Sequence, residues 1–406
     1  MSRIVTIDDV RAAARLLEGV TIRTPVQPIR VVSEMAGTHV MLKLENLQRA
    51  GSFKVRGAYN RMSRLTPQER QVGVLAASAG NHAQGVAYAA RRLGIDAIVY
   101  MPKDAALPKI AATQDYGAEV RLVGETVDEA MIAARAEVEA TGKVLIHPYD
   151  HVDVVAGQGT VALEILEQVS DVGTIVLPLG GGGLVAGVAT VLAQVWPQVH
   201  VIGVQSENAA SFPDSLAAGR PVPRRVGATI ADGIAVGTPG DVTFEILDRL
   251  GVEVRTVSDE QISQALLVML ERAKLVVEPA GAAAVAAVMA DAKGMPGTIV
   301  PVITGGNIDP LLLMRVIQHG MVSSQRYLRL QVRLVDRPGA LAVLAETLAG
   351  VQANIKDMEH SHTDTSLGMF EALVTLDIEA KGPAHCDEIM AALTAAGFTP
   401  TRSKPR

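Results

Sequence analysis

A chain of 406 residues, 49% hydrophobic and 20% charged, buries a large core and divides into two or three domains. Its formal charge of -6 gives nucleic acid or an anionic membrane no electrostatic hold, so the expected ligand is a small molecule. The single cysteine, Cys386, excludes an intrachain disulfide or a cysteine metal cage, and Met1-Ser2-Arg3-Ile4 has no apolar signal segment behind it, which together predict a cytoplasmic protein.

Aromatic residues make up only 3%, and Ala, Gly and Val dominate, a composition that suits short strands packed closely on helices and predicts an α/β fold. Residues 6–19 read as an amphipathic helix capped by Thr6, with Asp8 and Asp9 in the first turn. An apolar strand over 72–77 turns at Ser78-Ala79-Gly80 into a helix whose Ala83, Val86, Ala87, Ala90 and Leu93 recur at helical spacing before Gly94. Short apolar runs return at 97–101, 118–123, 143–147, 174–179, 200–205 and 298–303, alternating with helical stretches. That alternation predicts βαβ units and mainly parallel sheet buried on both faces. The uncharged run 174–194 has the length of a membrane span, but Pro178 and Gly180 to Gly183 interrupt it, so it reads as strand, turn and helix.

From residue 327 the pattern changes. Residues 328–334 alternate apolar and polar as a strand with one solvated face should, and Asp336-Arg337-Pro338-Gly339 is a turn. A helix over 340–348, strands over 354–360 and 369–378, a helix over 384–396 and a last short strand over 398–401 follow. The order βαββαβ predicts a separate α+β domain of ferredoxin-like type.

Four segments carry chemistry. Gly180-Gly181-Gly182-Gly183 lies between a strand and a helix, where free backbone N–H groups and the helix N-terminus bind an anion, phosphate above all. Tight strand-helix packing is the plainer explanation of such glycines. Gly181-x-Gly183-x-x-Ala186, with Glu207 downstream, also fits a dinucleotide fingerprint, but that leaves the other three segments unexplained. Ser78-Ala79-Gly80-Asn81-His82 offers a hydroxyl, amides and a side-chain amide at a helix N-terminus, a place for a carboxylate, although Ser78 or Asn81 would serve equally as a cap and His82 as a hydrogen-bonded structural histidine. Thr304-Gly305-Gly306-Asn307 puts one hydroxyl at the carboxyl end of a strand. Ser52-Phe53-Lys54 sets a lysine between Gly51 and Gly57. A phosphate cradle, a carboxylate turn, a strand-end hydroxyl and a lysine are the parts of a pyridoxal phosphate site.

Through these motifs the chain resembles a fold-type II pyridoxal-phosphate enzyme of the threonine ammonia-lyase (threonine dehydratase) family, tryptophan synthase β-like, with mainly parallel sheets in two subdomains. The resemblance covers residues 1–320, with a small subdomain at about 73–148 inserted in the large one. Residues 321–326 read as a linker, and 327–402, with the Asp336 to Gly339 turn, resemble an ACT regulatory domain.

By that resemblance Lys54 holds the cofactor covalently and its freed amine removes the Cα proton, while Phe53 packs beside the ring and Asn81 binds its 3′ oxygen. Ser78, Ala79, Gly80, Asn81 and His82 hold the substrate carboxylate, Ser78 counting with Lys54 as catalytic. Gly180, Gly181, Gly182, Gly183 and Leu184 hold the phosphate. Glu278, in Glu278-Pro279-Ala280-Gly281, lies near the cofactor, with helix capping as the alternative. Thr304 faces the pyridine nitrogen, and a neutral hydroxyl there disfavours full delocalisation into the ring, which favours loss of a β-hydroxyl over transamination. The implied reaction converts L-threonine to 2-oxobutanoate and ammonia, and L-serine to pyruvate. Another β-hydroxy amino acid such as 3-hydroxyaspartate as the substrate, and a non-catalytic amino-acid sensor, are the alternatives.

Two departures from relatives matter. Serine racemases carry a second serine where this chain has Ala79, so little racemisation is expected. Relatives with a divalent cation use acids where this chain has Gln205 and Ser211, so no metal is expected, a contribution from Glu207 being the alternative. In the ACT-like region, Asp336, Pro338, Gly339, Ala340, Leu341, Asn354 and Ile355 are the implied effector positions, with isoleucine as the effector to test. An oligomer contact is the alternative, and a homo-oligomer, dimer or tetramer, is expected.

Overall fold

Apolar runs become fully buried parallel strands at Val74–Ala77, Ala97–Met101 and Thr298–Ile303, whereas the parallel strands Glu119–Leu122 and Val144–Leu145 have no fully buried residue. The computed structural model describes residues 4–362 and 367–403, so Met1, Ser2 and Arg3 lie outside the described residues. The chain divides into two units, Met1–Leu313 and Met314–Arg406.

The first unit holds two sheets. Strands β1 (Val26–Pro28), β2 (Met41–Leu44), β7 (Val172–Pro178), β8 (His200–Ser206), β9 (Glu253–Val257) and β10 (Thr298–Ile303) form one, in the order β1-β2-β10-β7-β8-β9. Only β1 runs antiparallel to its neighbour. Strands β3 (Val74–Ala77), β4 (Ala97–Met101), β5 (Glu119–Leu122) and β6 (Val144–Leu145) form the other, all parallel, in the order β5-β4-β3-β6. Every residue of β3, β4 and β10 is buried, as parallel strands covered by helices on both faces must be.

The run 174–194 is the end of β7, the glycine turn and most of a helix, Gly183–Val195. Among the described residues no helix is long and apolar enough to cross a membrane. The N-terminal helix Ile7–Leu17 starts at Thr6, whose hydroxyl and Asp9 form a reciprocal capping box. The strand expected from residue 72 begins at Val74 instead. Val72 ends the helix Pro67–Val72, and Gly73, at φ +93, makes the break.

Strands β1, β2 and β9 were not anticipated from the sequence. In β2 the charges hide a buried strand: Lys43 and the following Glu45 are fully buried and belong to a four-charge network. Arg56 donates to Glu45 Oε1 and Oε2, each at 2.8 Å, and to Glu164 Oε1 at 2.7 Å. Lys43 Nζ donates to Glu164 Oε2 at 2.6 Å, to Thr24 O at 2.8 Å and to Gln168 Oε1 at 2.9 Å. Two cations and two carboxylates cancel, and each is hydrogen-bonded, the condition under which buried charge is tolerated.

In the second unit, β11 (Tyr327–Val335), the helix Ala340–Gly350, β12 (Asn354–Ser361), β13 (Glu371–Glu379), the helix Pro383–Ala395 and β14 (Pro400–Arg402) follow one another. The sheet order is β12-β13-β11-β14, each adjacent pair antiparallel, a ferredoxin-like arrangement. Leu328, Leu330, Val332 and Leu334 of β11 alternate into a core shared with Leu344, Leu348, Ile389 and Leu393 of the two helices. The strand expected from residue 369 starts at Glu371, because Met369 and Phe370, 93% and 73% exposed, sit in the preceding turn. Residues 321–323 of the expected linker are the last turn of the helix Pro310–Ser323.

Candidate active site

The lysine loop is bent by two consecutive left-handed residues, Ala50 at φ 58 and Gly51 at φ 69. A side chain on Gly51 would collide with the Asn307 carboxamide. Ser52 then bridges to Gly305 and Phe53 N donates to Thr304 O at 3.2 Å, so the helix Lys54–Ser63 starts beside the end of β10. Lys54 Nζ lies 5.1 Å from the centre of the Phe53 ring and donates to Pro148 O at 3.1 Å. Burial lowers its pKa to about 8, against the opposing pull of Glu278. No carboxylate lies within ion-pair distance of this amine among the described residues.

After β3, Ser78 N donates to Tyr100 O at 3.0 Å and Ser78 Oγ accepts from Gly80 N at 3.2 Å. The helix Asn81–Leu93 takes Gly80 as its N-cap with no side-chain cap bond, so neither Ser78 nor Asn81 has the capping role, and the first N–H groups remain for a ligand. Ala79 and Gly80 are half-buried beside them. A Cβ on Gly85 would lie 3.1 Å from the Lys54 carbonyl carbon, so this helix abuts the lysine. The buried His82 ring meets Ile146 O at 2.7 Å through Nε2, and burial lowers its pKa to about 3. It is a neutral ring engaged by backbone.

In the glycine turn, Gly182 has φ +98 and N-caps the helix Gly183–Val195. The Tyr149 ring fills the space a side chain on Gly181 would need, and Thr243 Oγ1 donates to Gly181 O at 2.6 Å. Gly180 and Gly183 are closed in by Ile234 and by the Tyr149 backbone, and Leu184 is buried. Packing alone therefore requires these glycines, and what could hold an anion here is the first turn of the helix, whose N–H groups have no helical partner. Gly181→Ala is expected to displace Tyr149 and weaken cofactor retention about tenfold to hundredfold, measured as cofactor content after dialysis.

The strand expected over 143–147 ends at Leu145, and residues 146–150 form a strap not foreseen from the sequence. Besides Ile146 and Pro148, Asp150 accepts from Asp241 N at 3.1 Å and Val242 N at 2.8 Å at a helix N-terminus, and His147 Nδ1 accepts from Asp150 N at 2.8 Å. The signal was available as a polar, proline-containing segment directly after a strand.

Glu278 occupies the N-cap position of the helix Pro279–Ala290 but makes no side-chain cap bond, so capping does not explain it. It accepts from Asn81 Nδ2 at 2.6 Å, and Asn307 Nδ2 in turn donates to Asn81 Oδ1 and to Ala50 O, both at 2.8 Å. Burial pushes the Glu278 carboxyl up to about 7, and Asp232 adds to the rise. Gly305 must lack a side chain because Glu278 Oε1 occupies its space, and Thr304 beside it is 3% exposed. The chain thus links the lysine loop, the Ser78 turn and the Thr304 turn.

Gln205 Oε1 accepts from Phe212 N at 2.9 Å and Ser211 Oγ donates to Val236 O at 3.0 Å, so both side chains serve local backbone. Glu207 opens the short turn Glu207–Ala209 after β8, and no group of three or more His, Cys, Asp or Glu that could hold a metal occurs among the described residues.

The effector positions lie in the second unit. Leu341 and Ile355 line an apolar hollow of about 430 Å³ with Ala342, Leu344, Met358 and Leu376. Gly339, at φ +90, N-caps the helix that begins at Ala340, after Pro338. Asp336 N donates to Phe370 O at 2.8 Å, and Asn354 Nδ2 to Glu379 Oε2 at 3.1 Å.

These residues fit pyridoxal phosphate. The Lys54 amine is driven towards its neutral, nucleophilic form, a helix N-terminus offers phosphate its N–H groups, and the fully buried Ser52 Oγ beside Gly305 has no hydrogen-bond partner in the protein. The family model "Pyridoxal-phosphate dependent enzyme" matches residues 17–305. An L-threonine ammonia-lyase of Thermotoga maritima is 44% identical over 396 residues, 97% of this chain and 98% of that one. A catabolic L-threonine dehydratase of Escherichia coli K12 is 43% identical over 317 residues, 77% of this chain and 95% of that one. The solved structure of processed threonine deaminase isoform 2 from Solanum lycopersicum superposes with a TM-score of 0.73 at 36% identity, covering 78% of this chain and 95% of that one. The chain belongs to the pyridoxal-phosphate dependent enzymes, as a lyase of the threonine ammonia-lyase family with pyridoxal phosphate as its cofactor. The dinucleotide reading of Gly181 to Ala186 falls with that membership.

Proposed function

We propose that this enzyme eliminates water from L-threonine and releases 2-oxobutanoate and ammonia, and converts L-serine to pyruvate in the same way. The observation that carries this reading is the half-buried Lys54 amine, placed against the helix whose uncapped N-terminus follows Ser78. The names of the relatives supply threonine as the substrate. When bound, pyridoxal phosphate supplies the electron sink conjugated to the substrate's Cα. Lys54 takes the Cα proton, the β-hydroxyl leaves as water, and hydrolysis of the released enamine gives the oxo acid and ammonia. The Ser78 to His82 turn holds the carboxylate with backbone N–H groups and the Ser78 hydroxyl, and Phe53, Asn81, Glu278 and Thr304 surround the ring. Ala79 brings no acid to the face of Cα opposite Lys54, which directs the reaction to elimination rather than racemisation.

The second unit acts in this reading as an ACT domain that senses an amino acid. The apolar hollow beside Leu341 and Ile355 suits a branched aliphatic side chain, and isoleucine is the effector we assign. Strand β12, mostly exposed at the sheet edge, supports assembly into a homo-oligomer. A cytoplasmic location and a place in isoleucine biosynthesis complete the assignment.

Kinetics on threonine, serine and 3-hydroxyaspartate, with and without isoleucine, test all of this. Steady 2-oxobutanoate formation with little D-serine from L-serine is expected, and its absence ends the threonine assignment. Leu341→Glu is expected to abolish the isoleucine response and leave basal turnover intact; unchanged sensitivity would remove the effector site from this hollow.

A further inference from the structure

We propose that Asn307 is a positioning residue that fixes the amide of Asn81 with its N–H end turned to the cofactor's 3′ oxygen. The inference rests on the proposed role of Asn81 and goes beyond it by naming what sets the orientation.

The Ala50 carbonyl can only accept a hydrogen bond, so the group of Asn307 that meets it at 2.8 Å is Nδ2. The same nitrogen faces Asn81 at 2.8 Å, and a donor there requires the Asn81 oxygen. Asn81 Nδ2 is thereby turned the other way, where one N–H reaches Glu278 Oε1 at 2.6 Å and the second remains for a ligand. Glu278 cannot set this orientation unaided. Its carboxyl, raised by burial to about 7, switches near neutrality between a form that only accepts and one that also donates, and the protonated form would tolerate either face of the amide. Asn307 has no such ambiguity, because its partner Ala50 is backbone, in a loop held in left-handed geometry against it. An oxygen that carries negative charge on the bound cofactor needs a donor, and an inverted Asn81 would present a lone pair instead. Asn307 thus acts through Asn81 on the cofactor from a position two links away.

The test is a double-mutant cycle on the purified holoenzyme, read as the pH midpoint of the cofactor's visible absorption and as cofactor retention, with no substrate present. Asn81→Ala is expected to shift the midpoint and weaken retention about tenfold, the value of one charge-assisted hydrogen bond. Asn307→Leu is expected to shift the midpoint in the same direction, and to add nothing in the Asn81→Ala background. Asn307→Asp, of equal size, places acceptors where donors are needed and is expected to match the leucine variant, which covers poor folding of either one. An Asn307 effect that persists undiminished without the Asn81 side chain would overturn the inference, since it would then run through the Ala50 loop. A shift with Asn81→Ala and none with either Asn307 variant would overturn it as well. No effect of Asn81→Ala would remove the cofactor role of Asn81 itself, on which the inference stands.

Discussion

Lys54→Ala is expected to lower deamination by at least about a thousandfold and to remove the visible absorption of the bound cofactor, since in the proposed mechanism one amine serves as both covalent anchor and base. Both losses are checked on one preparation, by 2-oxobutanoate formation and by spectrum. The same amine predicts a pH signature. Burial lowers its pKa from an ordinary 10.5 to about 8, so below that point the neutral, reactive fraction falls about tenfold per pH unit. Cofactor uptake by the cofactor-free protein should therefore rise with pH and level off above about 8. A rate still climbing towards 10 would mean that the amine is solvated rather than enclosed.

Arg56→Met is expected to destabilise the protein by about 3–5 kcal/mol, read from urea or thermal unfolding. The loss comes from what stays behind: among the described residues the fully buried Glu45 would keep only one cation's coulombic pull, that of Lys43, and Glu164 would lose one of its two ion-pair partners. Burial alone would raise the Glu45 pKa, but the Arg56 guanidinium, Lys43 and the Thr24 hydroxyl together outweigh it and hold the carboxyl below its ordinary range. The folded-state pKa is thus depressed, so this stabilisation is present above the unfolded value and is lost as pH falls through the folded one. Arg56→Met with Glu45→Leu should recover much of the loss, because a well-packed apolar pair can replace a buried ion pair. If Arg56→Met alone unfolds like the wild type, the network contributes nothing to stability.

Much of this was legible in the sequence because its causes are local. Strands 97–101 and 298–303 announce themselves as continuous apolar runs, and Thr6 caps a helix with residues three positions on. What escaped depends on partners far along the chain. Strand β2 looks polar until Lys43 meets Glu164, 121 residues away. Asn307 looks like one more turn residue until it meets Asn81 and Ala50, 226 and 257 residues away. Glu278 reads as a cap by position, yet its carboxylate turns inward to Asn81. In the second unit the exposed pair Met369 and Phe370 imitates a strand start, since apolarity at a turn and in a core look alike in one dimension.

The strap 146–150 joins the smaller sheet, through β6, to the helix Val152–Gln168 of the larger one. Within five residues it meets the His82 ring, the Lys54 amine, the glycine turn and the helix Asp241–Arg249. The two sheets are therefore geared rather than hinged at this edge. A shift of the strap would move Pro148, which accepts from the Lys54 amine, and Tyr149, which walls the glycine turn, together. Anything that displaced these five residues would reach the lysine's hydrogen-bond partner and the glycine turn without touching either directly.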